Sequence, residues 1–123
     1  METKLSTLEP KIIGQIGIDA GLVWIGDPCY ILHEKLPSTV GKSWGEFCDI
    51  LGSDFTKSFN FDRGHEGLGV CTSTKHGDGS YPVIGFFEKD SERPSAVIID
   101  FDDVFGTLKE KIISEFLEQC VKI

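Results

Sequence analysis

The stretch Gly69-Val70-Cys71-Thr72-Ser73-Thr74-Lys75-His76-Gly77-Asp78-Gly79-Ser80-Tyr81-Pro82-Val83-Ile84-Gly85-Phe86-Phe87-Glu88 decides the fold class. Gly69 to Thr74 sets β-branched Val70, Thr72 and Thr74 at alternate positions, the period of a strand with two unlike faces. Gly77-Asp78-Gly79 then asks for backbone angles that glycine adopts at little cost, so Lys75 to Ser80 reads as hairpin chemistry. Tyr81 to Glu88 is the next strand. Working forward, Lys89 to Ser95 is a polar loop and Ala96 to Phe101 a further strand. Working backward, Ile12, Ile13, Ile16 and Ile18, broken by Gly14 and Gly17, lead through Asp19-Ala20-Gly21 into Leu22-Val23-Trp24-Ile25, a second expected β-hairpin. Gly26-Asp27-Pro28 ends it, because proline cannot donate to a ladder and the aspartate favours a turn start. Short strands with turn-rich connections predict an α+β domain, a predominantly antiparallel meander or barrel-like sheet rather than βαβ units.

Two helices complete this expectation. Ser43-Trp44-Gly45-Glu46 fits the capping-box pattern, Trp44, Phe47, Cys48 and Leu51 form one helical stripe, and Gly52 closes it. Thr107-Leu108-Lys109-Glu110 is a second capping box, from which Leu108, Ile112, Ile113, Phe116, Leu117 and Cys120 run as a wide apolar stripe. Such a stripe must cover a sheet face or a second molecule, so a homo-oligomer is one expectation. Between Ser53 and Arg63, Phe55, Phe59 and Phe61 punctuate polar residues without a period, leaving strand, loop and flap open. Residues 1–10 read as an N-terminal tail and 11–123 as a single domain.

Composition bounds the function. The chain has 123 residues, 40% hydrophobic, with 20 acidic and 12 basic side chains for a net charge of -8. That charge repels polyphosphate backbones and offers no basic run to release counterions, so a nucleic-acid polymer is excluded as a partner. A small phosphate-bearing ligand is not, since backbone N–H groups, a histidine or one arginine outweigh the global field at contact distance. No run of about 18 apolar residues is present, nor is the opening that of a secretory signal, so a cytoplasmic protein with no membrane partner is expected. Cys29, Cys48, Cys71 and Cys120 stand far apart without a C-x-x-C pair and read as thiols.

Three constellations carry chemistry. Gly26-Asp27-Pro28-Cys29-Tyr30 places a carboxylate, a thiol and a phenol at the end of a strand; equally, it is a proline turn with a buried cysteine and a packing ring. Arg63-Gly64-His65-Glu66-Gly67-Leu68-Gly69 surrounds three polar side chains with glycines that let backbone N–H groups approach an anion; equally, it is a glycine-permitted loop entering a strand. Its spacing is G-x-x-G-x-G, not a dinucleotide fingerprint. Lys75-His76-Gly77-Asp78-Gly79-Ser80-Tyr81 repeats the pairing of an aspartate with a tyrosine, and the two bends are expected to face one pocket. Rings for stacking and carboxylates for hydroxyl or amino donors suit a nucleotide-type ligand, so the expected binding set is Asp27, Cys29, Tyr30, Arg63, His65, Gly67, His76, Asp78 and Tyr81, with no cofactor implied.

Competing readings follow from the same residues. Cys29 as a nucleophile needs a base, for which His33 and His65 are the candidates, and a metal would take His65, Glu66, His76 and Asp78 although no H-E-x-x-H spacing is present. Gly41-Lys42-Ser43 lacks the first glycine of a phosphate-binding loop, and Ser43 reads better as a helix cap. Asp100, Asp102 and Asp103 resemble a calcium loop, but Val104 and Phe105 stand where a ligand and the glycine belong, so they are expected to end a strand. A protein-binding inhibitor, docking through the C-terminal helix or the Phe55, Phe59, Phe61 segment, is the third class.

With G-D-P-C-Y at 26–30, G-L-G-V at 67–70, G-D-G-S-Y-P-V at 77–83 and Ile99-Asp100-Phe101 in this order, the chain resembles a group of small uncharacterised proteins from phages and their Gram-positive hosts, over roughly Ile16 to Phe101. The resemblance implies no activity and no residue roles. It does imply a host-cytoplasmic setting in which small acidic proteins inhibit enzymes, mimic DNA or sequester nucleotide signals of antiviral immunity. DNA mimicry ranks last, because 20 acids offset by 12 bases are too sparse an array. The leading expectation is a non-catalytic anti-defence sponge for a nucleotide-type signal, with a small hydrolase or transferase as the alternative.

Overall fold

The computed structural model describes residues 7–32 and 37–106. The elements in chain order are β1 (Glu9–Ile18), β2 (Leu22–Gly26), α1 (Trp44–Leu51), β3 (Thr56–Phe59), β4 (Gly69–Ser73), β5 (Gly79–Phe87) and β6 (Pro94–Ile99). The fold is α+β with antiparallel sheets, as the alternating patterns predict. The described residues form two compact units: 7–18 with 79–106, and the continuous segment 19–78.

The first unit is a three-stranded sheet in the order β1-β5-β6. Its central strand is apolar on both faces, and Ile84, at 1% exposure, is among the most buried side chains, with Tyr81, Phe86 and Phe87 buried beside it. Tyr81 meets Phe101 edge-on at 5.4 Å, and Phe86 meets Phe105 at 6.5 Å. Asp100 ends β6 as expected: its carboxylate, 3% exposed, accepts the N–H groups of Asp102, Val104 and Phe105 at 2.9 to 3.2 Å. A buried carboxylate is tolerated here because those donors replace its lost water. Glu9 and Pro10 lie opposite Phe87 and Phe86, so the strand begins inside what composition marks as tail.

The second unit is the sheet β2-β4-β3 with α1 against one face. Leu22 and Trp24 on β2, Cys71 on β4 and Phe59 on β3 alternate onto that face, where Phe47, Leu51 and Leu68 meet them. Phe47 stacks on Phe59 at 5.4 Å, and Trp24 tilts against Phe59 at 5.3 Å. Fully burying a ring such as Phe59, 2% exposed, contributes about 1.5–3 kcal/mol. The helix starts where its cap predicts: Ser43 Oγ accepts the Glu46 N–H at 3.1 Å, and Gly52 (φ 61°) stops it. The segment 53–63, open on sequence grounds, contains β3.

Both expected hairpins are corrected. β1 and β2 do not pair with each other, and neither do β4 and β5; β1 runs beside β5 from Glu9↔Phe87 to Ile18↔Gly79, and β2 beside β4. The turn residues are where chemistry puts them, with Gly21 at φ 68° and Gly77 at φ 76°, but each bend carries the chain from one sheet to the other. A meander is thus replaced by two sheets in which, among the described residues, the sequence-adjacent pairs are β3-β4 and β5-β6. The stripe over 108–120, its capping box and Cys120 lie outside the described residues, as does His33.

Candidate functional site

At one end of the second sheet Gly26, Gly69 and Phe59 stand side by side, and two connections leave there: 27–32 after β2 and the 60–68 loop from β3 to β4. Asp27 starts a short 3-10 turn. Its Oδ1 accepts the Cys29 N–H at 2.9 Å, and Pro28 needs no partner at that position. The turn aims the Tyr30 ring at Phe61, edge-on at 5.0 Å, while leaving Tyr30 37% exposed.

Phe61 is held by its own loop. Its N–H donates to the His65 carbonyl and its carbonyl accepts from Gly64, both at 2.8 Å, with Gly64 at φ 86° closing the bend. Arg63, His65 and Gly67 (φ 103°) are exposed on this loop. A second anchor comes from the chain before α1: the Ser38 N–H and hydroxyl donate to Asp62 Oδ1 at 2.6 and 2.7 Å, and the Thr39 hydroxyl donates to the Asn60 carbonyl. The Ser38 hydroxyl first, and its N–H next, hold the Asp62 carboxyl below its ordinary value. Nothing in the residue patterns marks Asp62 or Phe61 for these roles; only the register of β3 on β4 brings them there.

Of the expected set, Asp27, Cys29, Tyr30, Arg63, His65 and Gly67 therefore share one end of the second unit. His76 and Asp78 do not join them. They follow Thr74, whose N–H donates to the Gly21 carbonyl at 3.0 Å, and so lie at the far end of β2. Five residues of strand put the two ends roughly 13 Å apart. Tyr81 belongs to the first unit, where its ring is buried against Phe101. The expectation that the two Asp/Tyr bends share one hollow is thereby corrected: Asp27 and Asp78 occupy opposite ends of one sheet, because β2 pairs with β4 and not with β1. The metal quartet divides in the same way, with His65 and Glu66 at one end and His76 and Asp78 at the other, and among the described residues no three His, Cys, Asp or Glu side chains converge on a cation position.

Two of the glycines have a packing explanation. A Cβ at Gly69 would lie 2.2 Å from Trp24 Cζ2, and one at Gly26 would lie 2.8 Å from Trp24 Nε1 and 2.9 Å from the Leu68 carbonyl. The indole lies flat across the paired glycines, so Gly26 and Gly69 serve ring packing and not a ligand's approach. The signal was present as W-x-G on β2 opposite a strand-leading glycine on β4. Gly67, by contrast, has open space around it and a positive φ.

No family model, curated protein or solved structure matches the chain. Its chemistry has to be read from the site itself. The Cys29 thiol is exposed, yet partial desolvation, then the Asp27 hydrogen bond and charge, push its pKa up. A carboxylate beside a thiol lowers the thiolate fraction, the reverse of what activates a nucleophile. Cys71, in the core, is likewise pushed up by burial and by Cys48 nearby. Of the phenylalanines proposed as a docking segment, Phe59 is core, Phe61 supports Tyr30, and Phe55 is 80% exposed. Among the described residues, no helix is long and apolar enough to cross a membrane.

Proposed function

We propose that this chain is a non-catalytic binding module for a small nucleotide-type ligand, taken at the Tyr30, Arg63, His65 end of the second unit. The observation that carries the reading is the supported, exposed ring of Tyr30 beside a glycine-bent loop bearing a guanidinium and an imidazole. A base stacks on a ring that cannot recoil, and a phosphate takes donors from Arg63, His65 and the backbone near Gly67. The resemblance to phage proteins supports the biological version, a sponge for a host immune signal. The protonated Cys29 supports binding over thiol catalysis.

The test is thermal or chemical stability against a panel of cyclic dinucleotides and ADP-ribose derivatives. A ligand at about 100 times its Kd adds about 2.7 kcal/mol. Tyr30→Ala and Arg63→Ala are expected to remove the gain and His76→Ala to keep it. A panel without any shift, or a shift lost only in His76→Ala, overturns the reading. Recovery of intact ligand after heating separates a sponge from a hydrolase.

A further inference from the structure

Trp44 opens α1 and is 58% exposed, although its ring is not loose. The indole lies flat on Phe47, with centroids 5.6 Å and planes 21° apart, and Phe47 lies as flat on Phe59, at 5.4 Å and 19°. Phe59 is 2% exposed, so this stack of three rings runs from the core to the surface and leaves the outer face of the indole in water. The backbone under it is fixed as well. The Lys42 N–H donates to Glu46 Oε2 at 2.6 Å and the Glu46 N–H to Ser43 Oγ at 3.1 Å, while Gly41 (φ 83°) passes so close that a Cβ there would lie 2.8 Å from Glu46 Cβ. Exposure alone builds nothing of the kind: Phe55, 80% exposed, has no ring behind it among the described residues.

This second propped ring stands at the same end of the unit as the first. Phe59 pairs with Gly69 at the end of the sheet from which the 60–68 loop leaves, and Phe61, two residues on, backs Tyr30 at 5.0 Å. Two residues of chain span at most about 7 Å, so Trp44, Phe47, Phe59, Phe61 and Tyr30 form one line of rings with an exposed ring at each end. The Ser38 and Thr39 bonds to Asp62 and Asn60 fasten the segment that leads into Trp44 to the loop that carries Phe61, which fixes the spacing of the two ends. Each end has an exposed cation near it in sequence, Lys42 two residues before Trp44 and Arg63 two residues after Phe61.

We infer that Trp44 is the second stacking platform of this site, and that the ligand carries two planar bases joined through phosphate: a dinucleotide, linear or cyclic, and not a mononucleotide. This ligand class rests on the nucleotide reading of the Tyr30 end and narrows it. One base stacks on Tyr30 and the other on Trp44. Because each ring is backed by another, both contacts are available without reordering the protein. The linking phosphate takes donors from Arg63 and His65, with Lys42 adding charge.

The experiment is equilibrium binding on the full chain, read by tryptophan fluorescence and calorimetry, with 5′-mononucleotides and with linear and cyclic homodinucleotides of each of the four bases. A dinucleotide is expected to bind at least about tenfold more tightly than its mononucleotide and to lower the fluorescence of the wild type. Base stacking on an aromatic ring contributes about 5- to 150-fold in affinity per base, so Trp44→Ala is expected to weaken the dinucleotide by a factor in that range, to the level of the mononucleotide. Phe55→Ala is expected to leave it unchanged. Dinucleotides that bind no more tightly than mononucleotides, or whose affinity survives Trp44→Ala, overturn the inference; if Tyr30→Ala still removes that binding, the nucleotide reading stands without it. No binding by any of these probes overturns both. The ratio of dinucleotide to mononucleotide affinity in the wild type decides the matter even where a variant does not fold.

Discussion

Adding one methyl group at Gly69 tests the packing that shapes the candidate site. The new Cβ would lie 2.2, 2.6 and 2.8 Å from Cζ2, Cε2 and Cη2 of Trp24. Carbon atoms rest at about 3.5–4.0 Å, so the indole has to retreat by more than roughly 1 Å. That retreat loosens its contacts with Phe59 at 5.3 Å and Phe47 at 6.3 Å. Aromatic pairs contribute about 0.5–1.5 kcal/mol each and overpacking costs about 1–3 kcal/mol, so Gly69→Ala is expected to cost about 2–4 kcal/mol. Urea unfolding followed by far-UV circular dichroism and tryptophan fluorescence measures it. In a Trp24→Ala background the same change should cost no more than about 0.5 kcal/mol, because the obstructing ring is gone. Gly17→Ala, with nothing within 4 Å, is the control and should be neutral or stabilising by about 0.5–1 kcal/mol. An unchanged cost of Gly69→Ala in the Trp24→Ala background would refute the reasoning.

Asp62→Asn should weaken the anchor to Ser38 in a pH-dependent way. The folded carboxyl titrates below its usual 3.8, so its contribution is fully present above that value and is lost as pH falls through the lower folded value. The stability difference between wild type and Asp62→Asn should therefore hold at pH 5 and above and shrink in acid, as urea titrations across pH would show. Alkylation of Cys29 at neutral pH should be slower than that of a free cysteine, and Asp27→Asn should speed it by removing the neighbouring charge while an amide oxygen still caps the turn; mass spectrometry of the labelled peptide reads both. Asp100→Ala strands three backbone N–H groups and should cost about 2–4 kcal/mol, with Asp100→Asn costing less because Oδ1 still accepts two of them.

What sequence discloses here is local chemistry. The Ser43 cap, the Gly52 stop, the strand periods and the end of β6 at Asp100 each depend on neighbours within a few residues, and they stand where those neighbours put them. Pairing was not legible in the same way. Asp19-Ala20-Gly21 and Gly77-Asp78-Gly79 have the residues of hairpin turns, and a left-handed glycine turns a chain without specifying which strand it will meet. The site inherited that error. Asp27 with Tyr30 and Asp78 with Tyr81 look alike as strings, but Tyr30 is propped outward by Phe61 whereas Tyr81 is drawn into the core by Phe101. Gly69 looked like room for a ligand and, with Gly26, is room for an indole.

Ile18 and Gly79 are direct partners at the last rung of the β1-β5 ladder, and the whole of 19–78 runs between them. Closing so long an excursion costs roughly 2 kcal/mol more than closing a four-residue bend, a debt that falls on the nucleation of that ladder. If 19–78 organises first, its ends, already tied by Thr74 to Gly21, deliver the two strands to each other and most of that entropy has been spent in advance. Refolding should then show two kinetic phases, the slower reported by β1 and β5, and the order of events in time would run from the middle of the chain outward.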